Sequence, residues 1–157
     1  MTTTHAAFHP GAVLEETVYP TSKVQVFRFS GATWNTHRIH YDKDYAVAEG
    51  YPDVLVQSHL HGAFLTRYCT DLAAEDGRLV SLGLRVQKFA VAGEQLTVCG
   101  TVTAVTALDS ERALVDLELT ERRGSDGETC VTGSARLEVP LARTAAEAYN
   151  STQGEDR

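Results

Sequence analysis

Hydrophobic and polar residues alternate with a period of two through the second half of the chain. Val131, Gly133, Ala135, Leu137 and Val139 interleave with Thr132, Ser134, Arg136 and Glu138, and Ala113, Val115, Leu117 and Leu119 alternate with Leu114, Asp116, Glu118 and Thr120. That period puts one side of a strand on a core and the other in water. Both segments are predicted strands, and Gly124-Ser125-Asp126-Gly127 between them predicts a hairpin turn. Residues 79–89 and 96–105 read as two more strands, joined by a turn at Ala92-Gly93-Glu94 where glycine supplies positive φ. Near the start, residues 23–29 carry Val24, Val26, Phe27 and Phe29, a β-branched and aromatic run that predicts a fifth strand.

The pattern changes to helical spacing over residues 58–74, where Leu60, Phe64, Leu65, Tyr68 and Leu72 recur every three or four positions. This helix is apolar round much of its circumference and calls for burial on most sides. A twisted antiparallel sheet can provide that burial by curling round it. A shorter helix over residues 42–49 is predicted before it, ended by Gly50 with Pro52 just beyond. The expected architecture is therefore α+β: a single hot-dog fold, an antiparallel sheet wrapped round one long central helix. Residues 1–144 are expected to form this one domain, and residues 145–157 a polar, flexible tail.

Composition narrows the picture. A chain of 157 residues with 43% hydrophobic content can bury a core of its own. A formal net charge of −7 opposes nucleic-acid binding, which needs a basic face to displace counterions. Cys69, Cys99 and Cys130 are odd in number and lie in apolar or alternating segments, as expected of reduced thiols in a cytoplasmic protein. No apolar run reaches the length of a membrane span, and the first residues lack the charged start and apolar stretch of a secretion signal.

Chemistry is concentrated in Asn35-Thr36-His37-Arg38-Ile39-His40-Tyr41-Asp42. An imidazole can take and give a proton near neutral pH, which makes His40 the leading catalytic candidate. This segment, with residues 27–34 before it and Glu49-Gly50-Tyr51-Pro52-Asp53-Val54-Leu55-Val56 after it, resembles the MaoC-like hot-dog dehydratase superfamily. The likeness is nearest to the branch holding mesaconyl-type acyl-CoA hydratases and mitochondrial-type 3-hydroxyacyl thioester dehydratases. It extends through residues 57–63 and 89–94, about the middle half of the chain.

The resemblance implies addition or removal of water at the α,β-bond of an acyl thioester carried by coenzyme A or acyl carrier protein, with no cofactor. It places His40 as the proton carrier. Relatives with an R-specific hydratase motif have an aspartate five residues before that histidine, and here the residue is Asn35. An amide can orient water or hydroxyl but does not titrate. Arg38, Ser58, His59 and Gly62 become candidates for substrate binding, with the start of the long helix as a seat for the developing oxyanion. The family's sites form between subunits, which implies a homodimer, or a hetero-oligomer with a related hot-dog chain. Two alternatives stand beside this expectation: Asn35, together with a helix start that reads Gln57-Ser58-His59 where relatives commonly show His-Gly-Pro, favours a non-catalytic acyl-thioester-binding or scaffold subunit, and, since hot-dog folds host several reactions, a hot-dog thioesterase or isomerase is the other.

Plainer roles compete at several positions. Arg38 is a phosphate ligand or the ion-pair partner of Asp42 or Asp44. Trp34 and Tyr41 are expected to pack round the turn, and Asp42, Asp44 and Asp53 to start helices or turns. Arg85 and Lys88 alternate outward on a strand, towards ligand phosphates or solvent. His37 and His40 lack a third ligand at convincing spacing, so no metal is expected.

Overall fold

The four predicted long strands and the long helix all form as their periods dictate. The structure, a computed structural model, describes residues 8–144. Its elements are β1 (Thr17–Pro20), α1 (Lys23–Thr33), α2 (Lys43–Ala48), α3 (Ser58–Ala73), β2 (Arg78–Val86), β3 (Gln95–Ala107), β4 (Arg112–Arg123) and β5 (Thr129–Pro140), with single 3-10 turns at Arg38–His40 and Leu141–Arg143. The expected tail over residues 145–157 lies outside the described residues.

All strand pairs are antiparallel, in the order β1-β3-β4-β5-β2. Register shifts fall between Val102 and Ala104, between Glu121 and Arg122, and between Leu79 and Ser81. Such irregularities bend a strand and increase its twist, and the sheet folds over α3. Leu96, Val98, Val115, Leu117, Leu119, Leu137 and Val139 are buried on its inner side, against Leu60, Phe64, Leu65, Tyr68 and Cys69 of the helix. Gly100 admits the closest approach, since a Cβ there would lie 3.2 Å from the Tyr68 ring, and its N–H donates to the Tyr68 hydroxyl at 3.0 Å. This is the α+β hot-dog arrangement expected from the sequence. No helix among the described residues is long and apolar enough to cross a membrane.

The segment read as the first strand is a helix. Residues 23–33 form α1, started by Ser22, whose hydroxyl accepts from the Gln25 N–H at 3.1 Å. Val26 and Ser30, four apart, face inward, and that spacing outweighs the β-branched composition that suggested a strand. The strand position beside β3 is taken instead by Thr17–Pro20, too short to show a period. The turn at residues 92–94 also does more than join neighbours. β2 and β3 lie far apart in the sheet order, and Gly93, at φ +105°, turns a crossing segment whose Ala92 N–H donates to Val54 O at 2.9 Å. Helix α3 is covered on one side only, with Ala63, Thr66, Arg67, Thr70 and Asp71 exposed.

Two polar groups are sunk in this core. His61 on α3 and Glu121 at the β4 irregularity are fully buried and hydrogen-bond through Nδ1 and Oε1. The outer atoms His61 Nε2 and Glu121 Oε2 have no partner among the described residues. Replacing His61 alone by leucine, or Glu121 alone, is expected to cost about 3–5 kcal/mol in urea unfolding because the survivor stays buried without a partner. The double replacement is expected to recover most of that loss. At the end of α3, Ala74 adopts φ +60°, ψ −166°, a region that only glycine occupies without strain. Ala74→Gly should therefore raise stability by about 1 kcal/mol, read as a higher midpoint in thermal unfolding.

Candidate functional site

The site is built where the chain leaves α1, turns through the 3-10 turn Arg38–His40, and returns past Leu55 into α3. Trp34 ends α1 at φ 54°, a left-handed cap, and the Asn35 N–H then donates to Ser30 O at 2.9 Å. The Asn35 Oδ1 accepts from the His37 N–H at 3.1 Å, an Asx-type turn that carries the backbone towards His40. Ile39 O accepts from the Leu55 N–H at 2.9 Å, and Leu55 O sits 2.9 Å from His40 Nδ1. Since a carbonyl only accepts, Nδ1 carries the proton and Nε2 presents its lone pair.

His40 is half-buried. Burial lowers its pKa below the ordinary 6.5, partly offset by the Leu55 hydrogen bond and reinforced by His37, whose ring centroid lies 6.0 Å away. It is thus neutral at pH 7, the form a general base requires. His40 lines a cleft of about 280 Å³ with Lys23, Val24, Phe27, Tyr41, Lys43 and Val54. Asn35 lines an adjoining cleft of about 210 Å³ with Phe27, Ser30, Gly31, Trp34, Thr36 and Tyr41. Phe27 and Tyr41 line both, their rings edge to face at 6.5 Å, and divide the two candidates between neighbouring clefts.

The other candidates are placed less centrally. Arg38 is held by Asp42, donating from Nε at 3.1 Å as well as from its terminal nitrogen, and its guanidinium lies over the Tyr45 ring at 4.5 Å. That hydrogen bonding pulls the Asp42 carboxyl below the usual carboxylate range. Asp42 also caps α2 through the Tyr45 N–H at 3.1 Å. Ser58 and His59 are exposed at the start of α3, where the first backbone N–H groups lack intrahelical partners. Gly62 is a packing position: a Cβ there would lie 3.1 Å from Leu84 on β2. Lys88 pairs with Glu128 at 2.7 Å, and Arg85 lies on the strand face opposite Leu84. Trp34 does not pack as expected: it sits in the left-handed cap of α1 and is 85% exposed. Among the described residues no group of three or more His, Cys, Asp and Glu is placed to hold a metal ion.

Two features escaped the sequence reading. Gln57 is fully buried as the N-cap of α3, and its Nε2 donates to Val26 O and to Ser30 Oγ, both at 2.8 Å, tying α1 to α3. A glutamine where a Ser, Thr, Asp or Asn cap is usual was the available signal. Lys23, Lys43 and Asp53 converge at the mouth of the His40 cleft, and the Lys23 hydrogen bond, aided by the Val54 N–H, holds the Asp53 carboxyl down at about 2. Their positions, 20 and 30 residues apart, gave no local signal.

Against known proteins, residues 3–92 match the family model described as hydroxyacyl-thioester dehydratase type 2. The chain belongs to that family. The beta subunit of the 3-oxo-4,17-pregnadiene-20-carboxyl-CoA hydratase of Mycobacterium tuberculosis is 34% identical over 95 residues, 60% of this chain and 74% of that protein. The mesaconyl-C(4)-CoA hydratase of Chloroflexus aurantiacus is 45% identical over 53 residues, 33% of this chain and 19% of that protein. A chain of the ChsH1–ChsH2 complex from M. tuberculosis superposes with a TM-score of 0.71 at 28% identity, over 83% of this chain and 98% of that one. This type 2 dehydratase family member is accordingly a hydro-lyase of acyl thioesters, as the MaoC-like resemblance implied.

His40 should titrate below pH 6.5 when followed by the NMR shifts of its ring protons, and His37→Ala should move its midpoint upward by removing the neighbouring ring that helps lower it. A midpoint above 6.5 would show that the ring is not held neutral by burial.

Proposed function

We propose that His40 alone carries the proton in both directions of the reaction. In hydration, Nε2 takes a proton from water as the oxygen bonds to Cβ, the α,β π-electrons move towards the thioester, and the same proton is then delivered to Cα. Dehydration runs back along that path, so each direction starts from neutral imidazole. The observation that carries this reading is the 2.9 Å hydrogen bond from Nδ1 to Leu55 O, which fixes the tautomer in a cleft-lining ring.

The developing negative charge on the thioester oxygen is met by the unpaired N–H groups at the start of α3. The His40–Leu55 bond supports this role, since Leu55 lies three residues before Ser58 on the segment that enters the helix. Asn35 orients the water or hydroxyl. Its Oδ1 is engaged by the His37 N–H, leaving Nδ2 to donate from the adjoining cleft, and substrate displaces the exposed Phe27 ring to join the two spaces. Ser58 and His59, exposed at the start of α3, would meet the substrate beyond the clefts, together with Arg38, which neighbours His40 in sequence.

The working unit is a dimer. The outer edge of β2 is unpaired among the described residues, and Phe27 and Trp34 are exposed beside the clefts, so a second hot-dog chain would cover both features. The free cysteines and the absence of a spanning helix among the described residues fit a cytoplasmic protein. A second reading, a non-catalytic subunit beside an active homologue, is favoured by the beta-subunit relative and by the non-titrating Asn35.

Hydration of crotonyl-CoA and longer enoyl-CoA, followed by loss of the conjugated thioester absorbance, separates the two. Wild-type turnover should fall about a thousandfold in His40→Ala. Its rate should decline through a single ionisation below pH 6.5 as acid converts His40 to imidazolium, and Asn35→Asp should add a second, carboxylate-like ionisation. No turnover by the isolated wild-type chain, with activity restored only on adding an active partner and unaffected by His40→Ala, would establish the second reading instead.

A further inference from the structure

The Asn35 cleft contains a buried hydroxyl whose hydrogen the fold leaves unspent. Ser30, Thr36 and Tyr41 bring hydroxyls to its lining. Tyr41 donates to Thr36 O at 2.9 Å, and Thr36 is exposed to water. Ser30 is only 5% exposed. Its Oγ lies 2.8 Å from Gln57 Nε2, which is 2.8 Å from Val26 O as well. A carbonyl only accepts, so the amide nitrogen is the group turned towards α1, and Ser30 Oγ receives a hydrogen bond from it instead of giving one. The Ser30 hydrogen itself has no acceptor among the described residues. A helical hydroxyl can spend that hydrogen on the carbonyl four residues back, as Thr33, Thr66 and Thr70 do in this chain. For Ser30 that carbonyl is Val26 O, which Gln57 occupies.

We propose that the Ser30 hydroxyl donates to the oxygen that is added to, or lost from, Cβ, and that Gln57 is the positioning residue that keeps its hydrogen turned to the cleft. The proposal rests on the reading that His40 takes the proton from water and that Asn35 donates to the same oxygen. A count of lone pairs gives Ser30 a part that Asn35 cannot fill. The attacking water uses one lone pair to form the bond to Cβ, and its other pair accepts from Asn35 Nδ2. Passing a proton to His40 Nε2 exposes a third pair on the oxygen, and Ser30 donates to it. The hydroxyl formed at Cβ then has two acceptor pairs matched by two donors, while the proton held by His40 goes to Cα. The Ser30 bond is therefore absent with bound enoyl thioester and forms as the oxygen gains hydroxide character, which is the kind of contact that raises kcat. Burial of Ser30 strengthens it, because little water competes for the donor. In dehydration the same bond holds the hydroxyl until His40 protonates that lone pair.

The test compares each enantiomer of 3-hydroxybutyryl-CoA with butyryl-CoA, which lacks the hydroxyl, by titration calorimetry on the full chain carrying His40→Ala, so that no ligand is turned over. One enantiomer should bind about tenfold more tightly than butyryl-CoA. Adding Ser30→Ala should cut that preference about fivefold and leave butyryl-CoA affinity unchanged, whereas a merely structural loss would weaken both ligands alike. Gln57→Met should cut it too, because Val26 O is then free to take the Ser30 hydrogen. With His40 intact, Ser30→Ala should lower kcat for hydration of crotonyl-CoA about tenfold with KM little changed. No preference for either enantiomer, or a preference that survives Ser30→Ala, overturns the donor role, and one that survives Gln57→Met overturns the part given to Gln57. Hydration of crotonyl-CoA that depends on His40, with a preference indifferent to Ser30, leaves the catalytic reading standing and removes this one. A Ser30-dependent preference without hydration of any enoyl thioester does the reverse.

Discussion

One buried amide holds the reactive segment to the rest of the molecule. Gln57 spends both Nε2 hydrogens on α1, one on the Val26 carbonyl and one on the Ser30 hydroxyl, while its own backbone carbonyl accepts from Leu60 and His61 and begins α3. Helix α1 is short and two of its aromatic or β-branched residues, Val24 and Phe27, face water, so apolar burial alone gives it little hold. Loss of the amide would leave the buried Ser30 hydroxyl without its Gln57 partner, a cost of about 1–3 kcal/mol. Because α1 forms one wall of both clefts, the geometry at Asn35 and His40 depends on a contact made by neither.

A second constraint acts through the backbone. The loop over residues 89–94 pins residues 54–56 by two hydrogen bonds, Val56 N–H to Ala90 O and Ala92 N–H to Val54 O, and Leu55 between them orients the imidazole of His40. A side chain held by a carbonyl keeps its tautomer without a charged partner, and burial then keeps it neutral. The sheet supports this arrangement through Thr21, whose hydroxyl bonds Glu94 O at 2.7 Å and accepts from the Gly93 N–H at 3.1 Å. Strand β1, the helix pair and the crossing loop thereby meet at one corner of the sheet, which is where the polar motif sits.

How much of this could be read from the chain follows from the range of each interaction. Strands β4 and β5, the turn at Gly124 to Gly127 and the span of α3 are set by local period and were legible. Helix α1 was not, since Val24, Val26, Phe27 and Phe29 favour strand by type, whereas the Ser22 cap and the long-range grip of Gln57 on Val26 and Ser30 go with the helical spacing. The buried pair was half legible: Glu121 continues the inward series of Val115, Leu117 and Leu119, so a carboxylate had to be sunk there, but its partner lies 60 residues away. The motif pointed to His40 through residue type, whereas the separation of His40 from Asn35 by Phe27 and Tyr41 is a matter of ring placement with no counterpart in spacing.

Asparagine at position 35 is consistent with this electrostatic design. Its Oδ1 already accepts the His37 N–H, and the His37 ring lies 6.0 Å from that of His40. A carboxylate in the same place would oppose the lowering that burial imposes on His40. Where a histidine shares its work with an aspartate, that raised basicity is useful. Where the histidine works alone and must be neutral at the start of either direction, an uncharged neighbour keeps the base form populated.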